Sequence, residues 1–250
     1  MPEGLTAAVI LFCTALVSGT AGFGFAMLSL TSLSLFFDPR TAVAFMAVHT
    51  LTQNIVQLTG LRRYCRWREL APLLAAAVLG VPAGALFLKT MDPVLIQRSL
   101  GLVVIAFVLT SLARSRKGAV PAGFQVPDRR PRTEAVWRVL TGLSGGVLMG
   151  AFLSGGPPLV MYSLWKGGSR FSIKAALQAF FLFCNAYALA LYALSGLLTE
   201  RVLRGSVALL PFTLGGTLIG MYLFQRMPSP VFRKLLLVLL ALVGVTLLVK

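Results

Sequence analysis

Acidic side chains are scarce in this chain, with seven Asp and Glu against 23 Lys and Arg in 250 residues. Glu3, Asp38, Glu69, Asp92, Asp128, Glu134 and Glu200 all stand at the ends of apolar segments or in loops. A cation pathway through lipid normally needs a buried carboxylate, so this placement argues against a metal or organic-cation cargo. Histidine occurs once, at His49, and the three cysteines, Cys13, Cys65 and Cys184, are widely scattered. They form neither a disulfide framework nor a CxxC or Cys/His metal site. No Ser-His-Asp set, carboxylate pair or ligand cluster falls within apolar sequence, which argues against an enzyme. With no ATP-binding motif, any transport would draw on an anion gradient, the membrane potential or coupled protons. No cofactor, metal or catalytic residue is therefore expected.

Apolar sequence fills the chain instead: 57% of residues are hydrophobic, 12% are charged, and the mean hydropathy is +0.86. These values lie far outside those of a soluble globular domain. Runs of roughly 20 residues, enough to cross a ~30 Å hydrocarbon layer, recur at 40–62, 70–90, 93–113, 172–197, 203–225 and 230–249. Two longer stretches bring the expectation to about eight hydrophobic segments in an all-α polytopic membrane protein. The first of these, Leu5 to Phe37, is expected to stay in the fold and not to be cleaved as a signal peptide. Its flank, Met1-Pro2-Glu3, carries no lysine or arginine, and its apolar part is too long. The net charge of +16 would suggest nucleic acid in a soluble protein. Here the basic residues sit at segment ends, where they set topology and meet anionic lipid head groups, so no nucleic-acid partner is expected.

The chain also repeats itself. An offset of 131 residues pairs Gly19 with Gly150, Gly24 with Gly155, Leu28 with Leu159, Ala44 with Ala175 and Asn54 with Asn185. An offset of 136 pairs Gly80 with Gly216, Gly84 with Gly220 and Met91 with Met227. The expected organisation is a first repeat over 1–113, a basic linker over 114–134 containing Pro121, Pro127 and Pro131, and a second repeat over 135–250.

Each half opens with an apolar stretch too long for one crossing of ordinary tilt, and each is interrupted midway. The interruptions read Ser18-Gly19-Thr20-Ala21-Gly22-Phe23-Gly24 and Gly150-Ala151-Phe152-Leu153-Ser154-Gly155-Gly156-Pro157-Pro158. Glycine lets the backbone leave helical geometry and proline removes a donor, so each half is expected to open with a broken helix or helical hairpin. If each stretch returns to its starting side, the halves have inverted topology. Arg62, Arg63, Arg66, Arg68, the seven basic residues of 114–138, Lys166, Arg170, Lys174, Arg226, Arg233 and Lys234 then share one face, 17 of the 23. By the positive-inside rule that face is cytoplasmic and both termini lie outside it.

Non-helical backbone at membrane depth survives only where protein buries it or water reaches it, so paired breaks point to a central site. The free N–H groups and positive ends of helices that start there suit an anion. The expected substrate-binding residues are Gly22, Phe23, Gly24 and Asn54 from the first half, with Ser154, Gly155, Gly156, Pro157 and Asn185 from the second. His49, Gln53 and Gln178 are candidates for proton coupling or substrate contact, and His49, Gln53 and Gln57 share a helical face by i, i+4, i+8 spacing. Gly80, Gly84, Gly216 and Gly220 read as close-packing glycines.

On these motifs, the Asn54/Asn185 pair and the basic loop between halves, nearly the whole chain resembles the TauE/SafE family. The resemblance implies a transporter in a bacterial inner membrane that exports a small anion such as sulfite, a sulfonate like sulfoacetate, or a related organic acid. The sequence departs from the family's pattern at Phe25 to Met27, where further glycines or a proline would be expected, and only the second half keeps Gly155-Gly156-Pro157-Pro158. The expected partners are the small anionic substrate and the lipid bilayer, with a homodimer as a further candidate. An anion uptake system or channel, or a membrane scaffold without transport, are the alternative readings. Costly unwound backbone would serve a scaffold poorly.

Overall fold

The structure, a computed structural model, describes residues 2–26, 28–29, 39–90, 105, 109, 131–153, 155–194, 196 and 198–249. Among them are eight α-helices: α1 (Pro2–Ala21), α2 (Pro39–Leu61), α3 (Trp67–Thr90), α4 (Pro131–Phe152), α5 (Gly156–Lys166), α6 (Arg170–Leu194), α7 (Glu200–Arg226) and α8 (Ser229–Val249). A single 3₁₀ turn, Arg62–Tyr64, joins α2 towards α3. The apolar run expected at 93–113, apart from 105 and 109, and residues 114–130 of the expected linker lie outside the described residues. Among the described residues three helices, α1, α6 and α7, are long and apolar enough to cross a membrane.

Both long opening stretches are interrupted, over shorter spans than the sequence suggested. α1 runs to Ala21, the backbone bends at Gly22 to Gly24, and helix resumes at Phe25, where Leu28 N–H donates to Gly24 O at 3.0 Å. α4 runs to Phe152 and α5 starts at Gly156. The flanking glycines stay helical, and Pro157 and Pro158 sit in the first turn of α5, where a missing N–H leaves no bond unmade.

Three helix pairs dominate the packing: α1 along α7, α3 along α4, and α2 against α6. Without a hydrophobic force between helices in lipid, such pairs depend on close van der Waals fit, and small residues supply it. A Cβ added to Gly216 would collide with the Phe12 carbonyl, and one added to Gly220 with the Leu16 carbonyl. In the other pair, Gly80 faces the Leu143 carbonyl and Gly84 the Val147 carbonyl. Phe12 and Leu143 are 131 residues apart, as are Leu16 and Val147, while the glycines that meet them differ by 136. The same contact is thus built twice, each time between one opening helix and a helix of the opposite half.

The apolar interior follows from this pairing. One buried cluster gathers Leu73, Leu159, Leu177, Phe180, Phe224 and Phe232, and a second gathers Leu11, Ala15, Phe25, Met46 and Leu153. α2 and α6 pack against each other and bring Asn54 and Asn185 to the space between the two breaks.

Candidate substrate site at the helix breaks

The first break needs glycine for its backbone. Gly22 and Gly24 take φ of 89° and 93°, a region that L side chains rarely enter. Gly22 N–H donates to Ser18 O at 2.6 Å, closing the end of α1. At the second break Leu153, 131 residues after Gly22, takes φ 52°, and its N–H donates to Met149 O at 3.0 Å. The two bends are thus built on equivalent positions, one with glycine and one with a leucine held in left-handed geometry.

Between them lies a cavity of about 30 Å³ lined by residues of both breaks and of α2 and α6. Gly22, Phe23, Gly24, Gln53, Asn54, Gly155, Gly156 and Asn185 all line it, as the sequence suggested, and Ser18, Thr50 and Phe181 join them. Phe23 and Gly156 meet across the space: a Cβ on Gly156 would stand 3.1 Å from the Phe23 ring. The repeat-matched asparagines converge on the same cavity. Asn54 Nδ2 and both polar atoms of Asn185 are buried with no hydrogen-bond partner among the described residues. A buried polar group left unpaired costs roughly 1–3 kcal/mol, so two free amide donors beside one cavity mark a place for an acceptor. The first turn of α5 adds N–H groups without intrahelical acceptors and the positive end of a helix.

The remaining expected residues fall elsewhere. Pro157 is buried in α5 but does not line the cavity, and Ser154 lies outside the described residues. Gln178 stands behind the cavity wall, where its Nε2 donates to Gly22 O at 2.7 Å and holds the bend. His49 also lies off the cavity, within a polar ladder between α2 and α7. Its Nδ1 pairs with Thr213 Oγ1 at 2.9 Å, and Thr217 Oγ1 donates to Thr213 O at 2.7 Å. Gln53 Nε2 donates to Thr217 Oγ1 at 3.0 Å and Ser18 Oγ donates to Gln53 Oε1 at 2.9 Å, which carries the ladder to the cavity. The shared face of His49 and Gln53 is the one turned to α7.

Lys174 corrects a sequence-based expectation. Counted there among the residues of the basic aqueous face, it is fully buried, donates to Gly19 O in the last turn of α1 and stands over the Phe224 ring. The sign of this was its place in the polar stripe Lys174, Gln178, Asn185 along one face of an otherwise apolar helix.

At the basic end, ion pairs join the starts of α3 and α4 to the end of α5. Lys166 Nζ lies 2.7 Å from Glu69 and 3.3 Å from Glu134, and Arg138 pairs with Glu134 at 2.5 Å. Glu69 and Glu134 stand in first turns, ahead of the apolar stretches. Partial burial works against the charge of Glu69, but Lys166 and Arg66 outweigh it and hold its carboxyl below the usual range. The hydrogen bond from Arg138 does the same for Glu134.

Among known proteins, the chain is similar to the probable sulfite/organosulfonate exporter TauE of Cupriavidus necator. The two are 24% identical over 212 residues, which cover 84% of this chain and 77% of that one. No solved structure matches. The family model described as sulfite exporter TauE/SafE matches residues 7–247, a span that takes in both breaks, both asparagines and the crosswise helix pairs. The chain belongs to the TauE/SafE sulfite exporter family: it is a multi-pass membrane transporter and not an enzyme.

Proposed function

We propose that this protein is a secondary exporter of a small anion, of the class of sulfite, a sulfonate such as sulfoacetate, or a related organic acid, and that it works by alternating access. The observation that carries this reading is the convergence of Asn54 and Asn185 on one cavity between the two breaks, each with an amide donor that has no partner among the described residues. Among the described residues no acidic side chain lines that cavity, and the N-terminal end of α5 faces it, so its polarity favours a negative cargo. The name of the Cupriavidus relative points to the same class.

The binding groups in this reading are the Asn54 and Asn185 amides and the backbone N–H groups of Gly155 and Gly156. Phe23, Gly22 and Gly24 form the facing wall, and Ser154 completes the set. Two inverted repeats, 1–113 and 135–250, are joined by the basic segment 114–134, and one set of broken helices rocks against the rest around this point. The twofold recurrence of the Gly216 to Phe12 contact as Gly80 to Leu143 supports such a duplication. The sorting of basic residues, which stands without Lys174, supports cytoplasmic placement of 62–68, 166–170 and 226–234, with both termini periplasmic in a bacterial inner membrane. His49 couples protons through its ladder to Gln53.

The test is reconstitution of the purified chain in liposomes, with solid-supported-membrane currents recorded on concentration jumps of sulfite, sulfoacetate and small carboxylates, with and without a pH gradient. A saturable current for one anion class is expected. Absence of flux for all of them, by current and by radiolabelled counterflow, refutes the reading.

A further inference from the structure

A buried cation stands between the cavity and the basic end of the protein. Lys174 is 0% exposed and lies one helical turn from Arg170 on one side and from Gln178 on the other, and Asn185 continues that face of α6 to the cavity. Its ammonium donates to the Gly19 carbonyl and sits 4.1 Å from the centroid of the Phe224 ring. Arg170 caps the end of α7, donating to Phe224 O at 2.7 Å and Gln225 O at 3.1 Å, and its guanidinium lies 5.4 Å from the same ring. The stem of Lys174 presses on Gly22, a wall of the cavity: a Cβ built there would meet Lys174 Cγ at 3.0 Å. Among the described residues Lys174 makes no ion pair.

An ammonium removed from water, with one carbonyl and one aromatic face as partners, is expensive to keep, and membrane proteins keep such groups where a charge must be handled. Its carbonyl partner belongs to the C-terminal end of α1, which carries partial negative charge and would repel an anion entering the break. Lys174 and Gln178 cover that end with two donors. The second break has no such cover from the repeat: the residue 131 positions before Lys174 is Val43.

We propose that Lys174 is the fixed positive charge of the transport path, which leaves the Gly19 carbonyl for the cargo anion as that anion passes between the cavity and the Arg170 end of α6. Lys174 thereby sets the charge class of the cargo, while the asparagine amides fit its shape. The inference rests on the anion-transport reading.

Three variants of the full chain, K174R, K174Q and K174M, are reconstituted and assayed with sulfite jumps, and their thermal melting is followed in detergent. K174R keeps the charge, and K174Q keeps a donor for Gly19 without it. Charge handling predicts saturable sulfite transport in K174R, with KM raised by at least about tenfold in K174Q and K174M while melting of K174Q stays near wild type. Transport by K174Q equal to that of K174R makes Lys174 a structural staple and overturns the proposal. A second measurement leaves the wild-type fold intact: the nitrogen-15 resonance of the Lys174 amine, assigned by its absence in K174R, moves on titration with sulfite and saturates near the transport KM. A resonance indifferent to saturating sulfite overturns the proposal while transport stands. A wild-type chain inert to every anion overturns the transport reading and this inference with it.

Discussion

At the first break two glycines take positive φ, and two side chains of α6, Lys174 and Gln178, hold their carbonyl neighbourhood from outside the segment. At the second, Leu153 takes the left-handed turn, two prolines start the next helix, and Gly155 is wedged against the preceding helix α4 at Gly145 and Met149. Left-handed geometry costs a non-glycine residue about 1–2 kcal/mol, which burial of the Leu153 side chain in the Leu11 and Phe25 cluster offsets. The second bend takes its turn residue and its prolines from its own segment but is backed by the Leu11 and Phe25 cluster of the first half, while the first is held by donors from a helix of the second half. Gly155 is also a poor place to test binding, because a side chain there meets backbone before it meets cargo.

The comparison breaks most visibly at the asparagines. Asn185→Leu, alike in branching and heavy-atom count, removes the amide of α6 from the cavity and is expected to reduce sulfite flux at least about tenfold with folded protein still in the membrane. Asn54→Leu performs the same operation on the α2 side. Equal losses show that both breaks serve the cargo alike, and normal flux in both variants removes the site from the breaks. A smaller effect separates the bends themselves. Gly22→Ala places a Cβ in left-handed geometry and against Lys174, and is expected to lower stability by about 1–2 kcal/mol in thermal melting. Leu153→Gly is expected to cost at least as much, because relief of about 1–2 kcal/mol of strain falls short of the roughly 2–5 kcal/mol lost when a buried leucine is removed. A smaller loss than that of Gly22→Ala would mean that strain, and not packing, governs the second bend. The smallest effect is at His49, which touches neither bend and has Phe45 and Thr213 as neighbours. His49→Ala is expected to shift the pH profile of transport with little change in its maximum, and an unchanged profile excludes His49 from proton coupling.

Much of this arrangement was legible in the sequence. Apolar runs gave the helices because lipid demands length and backbone closure, and the described helices start and stop within a few residues of those runs. Glycine located the first break and glycine with proline the second, and the offset of 131 brought Asn54 and Asn185 together before any coordinates did. What stayed hidden depended on neighbours. Lys174 looked like one more basic residue at a helix start, because its burial is decided by α1 and α7, more than 150 and 40 residues away along the chain. Gln178 looked like a cavity residue for the same reason, since a helical face does not say which neighbour it meets. The left-handed turn at Leu153 had no glycine to announce it.

The crosswise glycine contacts also bear on how the protein is made. The packing face of α1 finds its glycine partners, Gly216 and Gly220, roughly 200 residues later in the chain. At ribosomal rates of about 5–20 residues per second, α1 waits roughly 10–40 s for them, with Gly19 facing lipid or whatever accompanies the nascent chain. α3 and α4 meet earlier in synthesis, so the second opening helix is seated before the first. Because each opening helix is completed by the opposite half, neither half can finish its own packing alone, and the first opening helix is seated only when α7 arrives.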